Sequence, residues 1–359
     1  MFEEAKYIWN HALALQKRYY KLYGRYIKSS RLQHHFAVRY KRNLIGARTV
    51  QGIIMRLDKS YKRFFNKESK RTPKFKRKTD NISLEFKRKK GVYLDCCSIH
   101  ENYIRINVLN KKYKFFKSRE YKGNITRVFL KKYNDGNYFI TIETEAIPEK
   151  KGKTHNGASV GIDFGLKHYL TLSNGIVYDN PNFLKKDYST YSKATRSISK
   201  SEKGSRNRER KRIVRNRIIT RNLNKKNDYQ WKLAHKLCLT YDYIFLEDLN
   251  IIGMRNLKNC RTKLKDYSHA SFVEKLCFVA NKYSVVIHKI DRYFPSSKLC
   301  HCGYIKNDLS LDNRHWNCPK CGANNDRDKL AAENILRRGI YELESDNKAS
   351  KHSTERQSR

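Results

Sequence analysis

Asp163, Glu247 and Asp328 are the residues through which this chain could do chemistry. Asp163 closes the apolar run Ser159-Val-Gly-Ile-Asp163, Glu247 closes Tyr243-Ile-Phe-Leu-Glu247, and Asp328 opens the helix-like run Asp328-Lys-Leu-Ala-Ala-Glu-Asn-Ile-Leu336. A carboxylate in a buried strand is costly unless it has a partner or a task. Three such groups brought together form an oxygen-rich site for two Mg(II) ions, about 3.5–4 Å apart, that activates a water and stabilises the leaving oxygen of a phosphodiester. Each acid also has an ordinary alternative. Asp328 can be the N-cap of its helix, Asp163 a turn or ion-pair residue, and Glu247 the partner of one of many cations. Asp248 and Asp326 are rivals at neighbouring positions, because period-two geometry decides which face each presents.

A second constellation lies just upstream of Asp328. Cys300-x-Cys302 and Cys318-x-x-Cys321 are separated by 15 residues, a spacing that supplies four sulfurs to one tetrahedral Zn(II). With all four positions filled by protein, such a zinc is structural. Its place in the chain makes it a frame for the segment that delivers Asp328. His301 is a less favoured substitute ligand, and Cys96, Cys97, Cys238, Cys260 and Cys277 show no pairing pattern.

The elements that must position these groups follow from hydrophobic periodicity. Residues 1–72 repeat apolar side chains at helical spacing (Ile8, Ala12, Leu15, Tyr19, then Val50, Ile54, Leu57, Tyr61) and read as a helical bundle. Residues 73–147 read as a small β-barrel or sandwich, with strands at Ile82–Phe86, Val92–Leu94, Tyr103–Val108, Ile125–Leu130 and Tyr138–Thr144 and a hairpin turn at Asn134-Asp-Gly-Asn137. A linker, 148–158, leads to an RNase H-like α/β domain over 159–298. The cysteine segment, 299–323, is a zinc ribbon or knuckle inserted before a final nuclease segment at 324–340. The tail, 341–359, is polar and expected to be disordered. The fold class is therefore α+β, multidomain.

The chain has 359 residues, with 79 Lys and Arg against 34 Asp and Glu, a net charge of +45 and a pI near 10.0. Such a charge calls for a polyanion, and nucleic acid is the obvious one. Residues 185–232 hold 17 basic residues against 4 acids around an Ile213, Val214, Ile218, Ile219, Leu223 stripe, so a long helix with a cationic face is expected. Arg208, Arg210, Lys211, Arg212, Arg215 and Arg217 on that stretch, with Lys74 and Lys76 beside Arg77 and Lys78, are candidate phosphate contacts. No apolar run of transmembrane length occurs, and Glu3 and Glu4 stand where a signal peptide would be basic, so a cytoplasmic protein of the cytosol or nucleoid is expected. There is no Gly-x-x-x-x-Gly-Lys-Ser/Thr loop and no second Asp-x-Gly turn, which removes NTP hydrolysis.

Gly161-Ile-Asp-Phe-Gly-Leu-Lys-His-Tyr-Leu-Thr-Leu-Ser-Asn-Gly175, Phe245-Leu-Glu-Asp-Leu-Asn250 with Gly253-Met254, Pro295-Ser-Ser-Lys-Leu-Cys300, Trp316-Asn-Cys-Pro-Lys-Cys-Gly322 and Asp326-Arg-Asp-Lys-Leu-Ala-Ala-Glu-Asn-Ile335 together resemble the TnpB (OrfB) family of transposon-encoded proteins, relatives of type V CRISPR effector nucleases. The resemblance is specific over 159–336 and looser over 5–147. It implies an RNA-guided DNA endonuclease with a RuvC-type domain, two catalytic Mg(II), one structural Zn(II), a guide RNA from the transposon end, and double-stranded target DNA cut beside a short adjacent motif. It also implies a helical recognition lobe for residues 1–72 and a wedge-like β-barrel for residues 73–147. It assigns Asp163 and Glu247 as the first two catalytic acids and Asp328, ahead of Asp326, as the third. Departures are Leu330 for a usual Asn, Asn325 for a common His, and Cys-x-Cys for Cys-x-x-Cys. Two other functions stay open: a guide-RNA-dependent DNA-binding regulator that does not cut, and a DNA-strand-transfer transposase.

Overall fold

A computed structural model describes residues 1–40, 44–77, 80–87, 97–146, 150, 152–165, 168–248, 268–309 and 313–357, with side chains as far as Ser345 apart from those of Val108 and Leu184. The predicted strand at Val92–Leu94, together with Lys78, Cys96, Cys260, Asn250 and Gly253-Met254, lies outside the described residues. The chain divides into two compact units, Met1–Ile147 with Ser197–Arg217, and Pro148–Arg196 with Ile218–Arg359.

The first unit opens with α1 (Phe2–Tyr23), α2 (Ser29–Arg39) and α3 (Ala47–Phe65). Glu3 and Glu4 favour the α1 N-terminus through its dipole, and Gly24, at φ 61°, ends it by donating its N–H to Tyr20 O. Val50, Ile53, Ile54, Leu57 and Tyr61 make one buried face of α3. That face shares a single core with Ile82, Leu84 and Phe86 of β1 (Ile82–Lys87). The helices and strands expected to divide at residue 72 thus share this core.

The expected barrel is also corrected. Six strands form two separate three-stranded antiparallel sheets among the described residues. One has the order β1-β5-β6, with β5 (Ile125–Lys132) and β6 (Tyr138–Thr144) joined by the predicted Asn134–Asn137 turn. The other is β2 (Cys97–Ile99), β3 (Tyr103–Ile106) and β4 (Lys111–Lys114). β4, Lys-Lys-Tyr-Lys, is exposed throughout, a charged edge that pairs with no further strand among the described residues.

The second unit is built on a five-stranded sheet, β11-β10-β7-β8-β9. β7 (Ser159–Asp163), β8 (His168–Leu172) and β9 (Val177–Asp179) form an antiparallel meander; β10 (Tyr243–Glu247) is parallel to β7, and β11 (Val286–Ile290) is parallel to β10. The single helix expected over 185–232 is three: α4 (Phe183–Lys186), α5 (Tyr188–Ser199) and α6 (Arg206–Thr240). Gly204, at φ 91°, lies in the turn that interrupts it.

Val160, Ile162, Ile244 and Leu246 bury one face of the sheet against the end of α6 and α7 (His269–Tyr283). The alternate residues face the other way, where Phe245 and Ile290 pack on Ile335 and Leu336 of α8 (Arg327–Gln357). α8 runs on through the tail that composition marked as disordered. After Gly339 the sequence has no Gly or Pro to stop a helix already nucleated by the packed part of α8.

The segment expected as a loose linker is pinned at 153–157. The buried Asp242 carboxylate accepts from Lys153 Nζ at 2.6 Å, His155 Nδ1 at 2.7 Å and the Asn156 and Gly157 N–H groups at 2.7 Å each. Lys153 Nζ also donates to the Cys238 and Tyr241 carbonyls that end α6, at 2.8 and 2.6 Å. The expected division at 323 is likewise crossed by a hairpin, β12 (His315–Asn317) with β13 (Asn324–Asp326). No helix among the described residues is long and apolar enough to cross a membrane.

Candidate catalytic carboxylates and metal centre

Strand periodicity brings two of the three acids together. Leu246 pairs with Ile162 across parallel strands, so Glu247 and Asp163 are the next residues on each, at the same end of the sheet. Both share the face of Gly161 and Phe245, the face covered by α8. Asp248, one residue on, is exposed and pairs with Arg292. α8 supplies the third acid. Asp326 Oδ1 accepts the N–H groups of Asp328 and Lys329, each at 3.0 Å, so Asp326 holds the N-cap role. That leaves the Asp328 carboxylate to face the other acids.

The electrostatics record this convergence. Burial first, and then the charges of Glu247 and Asp328, push the Asp163 carboxyl up to about 8, partly offset by Arg327 and Arg314. Burial also raises Glu247, against a hydrogen bond from Ser296 Oγ that favours its charged form. Oxygen donors of this kind suit a hard divalent cation, but among the described residues only the four cysteines gather their ligand atoms into a metal-sized group, and Arg314 pairs with Asp328.

Three supporting residues escaped the sequence reading. Ser296 Oγ donates to Glu247 Oε1, and Arg314 Nη1 donates to both Asp328 oxygens at 2.8 and 3.1 Å. Asn334, buried on α8, donates to Ser296 O at 2.8 Å and Leu299 O at 2.6 Å, fixing the loop that carries Ser296. Ser296 and Asn334 lie in the Pro295–Cys300 and Asp326–Ile335 motifs, which gave them no role, and Arg314 left no signal.

Helix–strand closeness sets the third acid. A Cβ on Gly161 would stand 2.1 Å from Ala332 O and 2.6 Å from Leu336 N, and one on Gly339 would stand 2.1 Å from the Phe245 ring. Both positions therefore require glycine for α8 to lie against the sheet.

The four cysteines meet as well. Their Sγ atoms all lie within 4.8 Å of one another, with Cys300 and Cys321 3.7 Å apart and Cys302 and Cys318 3.5 Å apart. Four sulfurs at ~2.3 Å around a tetrahedral zinc stand about 3.8 Å from one another, so the donor set fits the metal and the distances exclude disulfides. Gly303 and Gly322, directly after the second cysteine of each pair, take φ of 85° and 72° and turn the chain back. The shorter first pair therefore closes a turn as well as the longer one does. Burial opposes ionisation of the Cys300 thiol, but hydrogen bonds from Cys302 N–H, the Asn325 amide and neighbouring thiols bring it down to about 6. Cys300, Cys318, Trp316 and Leu309 pack on Leu330 of α8, so the cluster rests on the first turns of the helix that carries Asp328.

The predicted phosphate contacts separate in the structure. Arg208 Nη1 donates to Ile198 O and Ser201 O, Lys211 Nζ to Ser201 Oγ, and Arg217 Nε to Asp135 O. Arg212 pairs with Glu209 at 3.1 Å and Arg215 with the Asn216 amide at 2.9 Å, while Arg210 is exposed. Lys74 O accepts from Trp9 Nε1, and Lys76 Nζ lies 5.0 Å over the Trp9 ring.

Comparison with known proteins gives a consistent picture. A family described as "Probable transposase" (OrfB, IS605) matches residues 139–258, and one described as "Cas12f1-like, TNB domain" matches 269–335. The chain is 34% identical over 219 residues to a "Putative RNA-guided DNA endonuclease" of Streptomyces pristinaespiralis, covering 60% of this chain and 53% of that protein. It is 24% identical over 358 residues to the "Putative RNA-guided DNA endonuclease InsQ" of Escherichia coli K12, covering 93% and 86%. Over 197 residues it is 29% identical to "TnpB-like protein L79" of Acanthamoeba polyphaga mimivirus, 51% of this chain and 37% of that one. The chain thus spans about half the length, or less, of the Streptomyces and mimivirus relatives. A solved Cas12f1 chain, from a complex with sgRNA and target DNA, superposes with a TM-score of 0.56 at 15% identity, over 93% of this chain and 81% of that one, which establishes a shared fold.

Proposed function

Because the chain belongs to the TnpB (OrfB) family, we propose that it is an RNA-guided, metal-dependent DNA endonuclease with an RNase H-like (RuvC-type) core and a zinc knuckle. The reading is supported by Asp163 and Glu247 ending neighbouring parallel strands and by the charges of Glu247 and Asp328 both acting on the Asp163 carboxyl. When bound, Mg(II) would supply charge neutralisation at the scissile phosphate and acidify the attacking water. Asp163, Glu247 and Asp328 would hold the two cations. Ser296 orients Glu247, and Arg314 steadies the Asp328 carboxylate at the mouth of the site. The cysteine cluster would take one Zn(II) and do no chemistry itself.

Specificity would come from pairing between a guide RNA from the transposon end and double-stranded target DNA, with the protein reading backbone shape. The +45 charge supports such a polyanionic load. Of the predicted contacts, exposed Arg210 and Lys74 present their side chains to meet phosphate, whereas Lys76 lies over the Trp9 ring and Arg208 and Lys211 secure the end of α5. The gathered acids favour cutting over guide-dependent binding alone. The protein is read as cytoplasmic.

The test is to purify the protein with transcripts of its own locus, sequence the bound RNA, and offer a plasmid library randomised beside a guide-matched target. Cleavage with Mg(II) that disappears in Asp163→Ala is expected. An inert wild-type complex, or a fully active Asp163→Ala, overturns the reading.

A further inference from the structure

A cleft of about 100 Å³ opens on the second unit between the end of β9, α4 and the middle of α6. It is lined by Tyr169, Asn180, Phe183, Asn222, Lys226 and Tyr229 among others. Two of its polar atoms are buried without a partner, the Asn180 Nδ2 donor and the Asn222 Oδ1 acceptor. The other halves of these amides are committed: Asn180 Oδ1 accepts from Asn182 N at 3.0 Å, and Asn222 Nδ2 donates to Ile218 O at 3.1 Å. Asn222 is only 5% exposed. Two unsatisfied amide atoms in one cleft leave their desolvation uncompensated, which a ligand presenting one donor and one acceptor would recover.

The place of the cleft narrows the ligand. His168 pairs with Asp179 in the β8–β9 hairpin, and β7 runs antiparallel to β8, so Asn180 leaves the sheet at the end where Asp163 and Glu247 stand. Two strand spacings separate β9 from β7, about 10 Å. A phosphate, which only accepts, has no use for Asn222 Oδ1. The edge of a nucleobase carries donors and acceptors side by side, and it is free only when the base is unpaired. Phe183 and Tyr229, edge to face at 6.5 Å, provide apolar ring surface at the cleft, and Lys226 supplies positive charge.

We propose that this cleft receives the edge of one unpaired base of the DNA strand lying on the carboxylates, a few nucleotides from the scissile phosphate; this rests on the nuclease reading above. The base sits between Asn180 and Asn222 and sets the register of the strand at the cut.

The experiment uses the full guide–protein complex, held in EDTA, with target DNA in which 2-aminopurine replaces one base at a time near the cut. One position should show a position-specific fluorescence change that Asn222→Leu and Asn180→Ala both abolish. In Mg(II) the same variants, with wild-type melting temperatures and DNA affinity within about twofold, should cut about tenfold more slowly or at shifted positions, as expected for the loss of one buried hydrogen bond. Asn180→Ala lies in a loop and guards against a folding failure of Asn222→Leu. No position-specific signal in DNA, a signal only from 2-aminopurine in the guide RNA, or variants that cut at the wild-type rate and positions would overturn the proposal. A wild-type complex that gives the signal yet never cuts would sink the nuclease reading while leaving the base site standing.

Discussion

Replacing Gly161 by alanine should dislodge α8 and, with it, Asp328. The added Cβ would lie 2.1 Å from Ala332 O, 2.6 Å from Leu336 N and 2.9 Å from Leu336 Cβ, where contacts under 3.0 Å are essentially never seen. Two of these atoms are backbone, so no rotamer change relieves the clash; strand and helix must separate by about 1 Å. Forced overpacking of this kind costs about 3 kcal/mol. With a urea slope of about 3 kcal/mol per M, the unfolding midpoint of the second unit falls by about 1 M. The same displacement at the start of α8 shifts Asp328 relative to Asp163, and a misplacement of that size costs about 100-fold in rate. Urea denaturation followed by tryptophan fluorescence, with guided cleavage under single-turnover conditions, measures both. Gly152→Ala is the control, since nothing lies within 4 Å of its Cβ position. A Gly161→Ala protein as stable and as active as Gly152→Ala would refute the close-packing argument.

Other outcomes follow from particular contacts. Asp163 has its carboxyl raised from the usual 3.8 to about 8 by burial, Glu247 and Asp328; its contribution to metal-free stability is therefore complete below the unfolded value and lost as pH rises through about 8. Melting curves in EDTA should fall in temperature between those pH values for wild type and flatten for Asp163→Asn, and equal pH slopes would contradict the clustering of charge. Cys318→Ser should lose its single equivalent of zinc by elemental analysis and lower both melting temperature and cleavage, because the cysteine cluster rests on Leu330; unchanged zinc content would contradict the assignment. Lys153→Met leaves the Asp242 carboxylate buried beside His155 and should destabilise the protein by about 3–5 kcal/mol, read by urea titration. Hydrogen bonds hold Asp242 well below the usual carboxylate range despite its burial, so its contribution is present above that range and disappears on acidification; a Lys153→Met protein as stable as wild type at pH 7 would count against the clamp.

Period-two patterning made the sheet of the second unit readable: the Tyr243–Glu247 run is the strand observed, and Asp163 and Glu247 fall on one face as alternation requires. The choice between Asp326 and Asp328 was less accessible, because both sit at a helix start and only the cap hydrogen bonds separate them. Ser296, Arg314 and Asn334 act on partners 49, 14 and 38 residues away in sequence, and no local pattern encodes such contacts. The first unit was harder still. Short strands such as Cys97–Ile99 and Lys111–Lys114 carry too few residues for alternation to register, and apolar faces on α3 and β1 do not reveal that they bury one another. The tail misled because low hydrophobicity describes composition, whereas helix propagation depends on what precedes it.

The central position of β7 has a consequence for biosynthesis. Its antiparallel neighbour β8 follows at once, but its parallel neighbour β10 and its covering helix α8 emerge from the ribosome only much later. Translation proceeds at about 5–20 residues per second, so for several seconds the nascent chain carries Asp163 on a strand with one side unpaired. Until α8 docks, Asp328 is absent from the group of acids at the end of the sheet. On the nuclease reading proposed above, the carboxylate site is thus incomplete throughout synthesis and forms only once the final helix has docked.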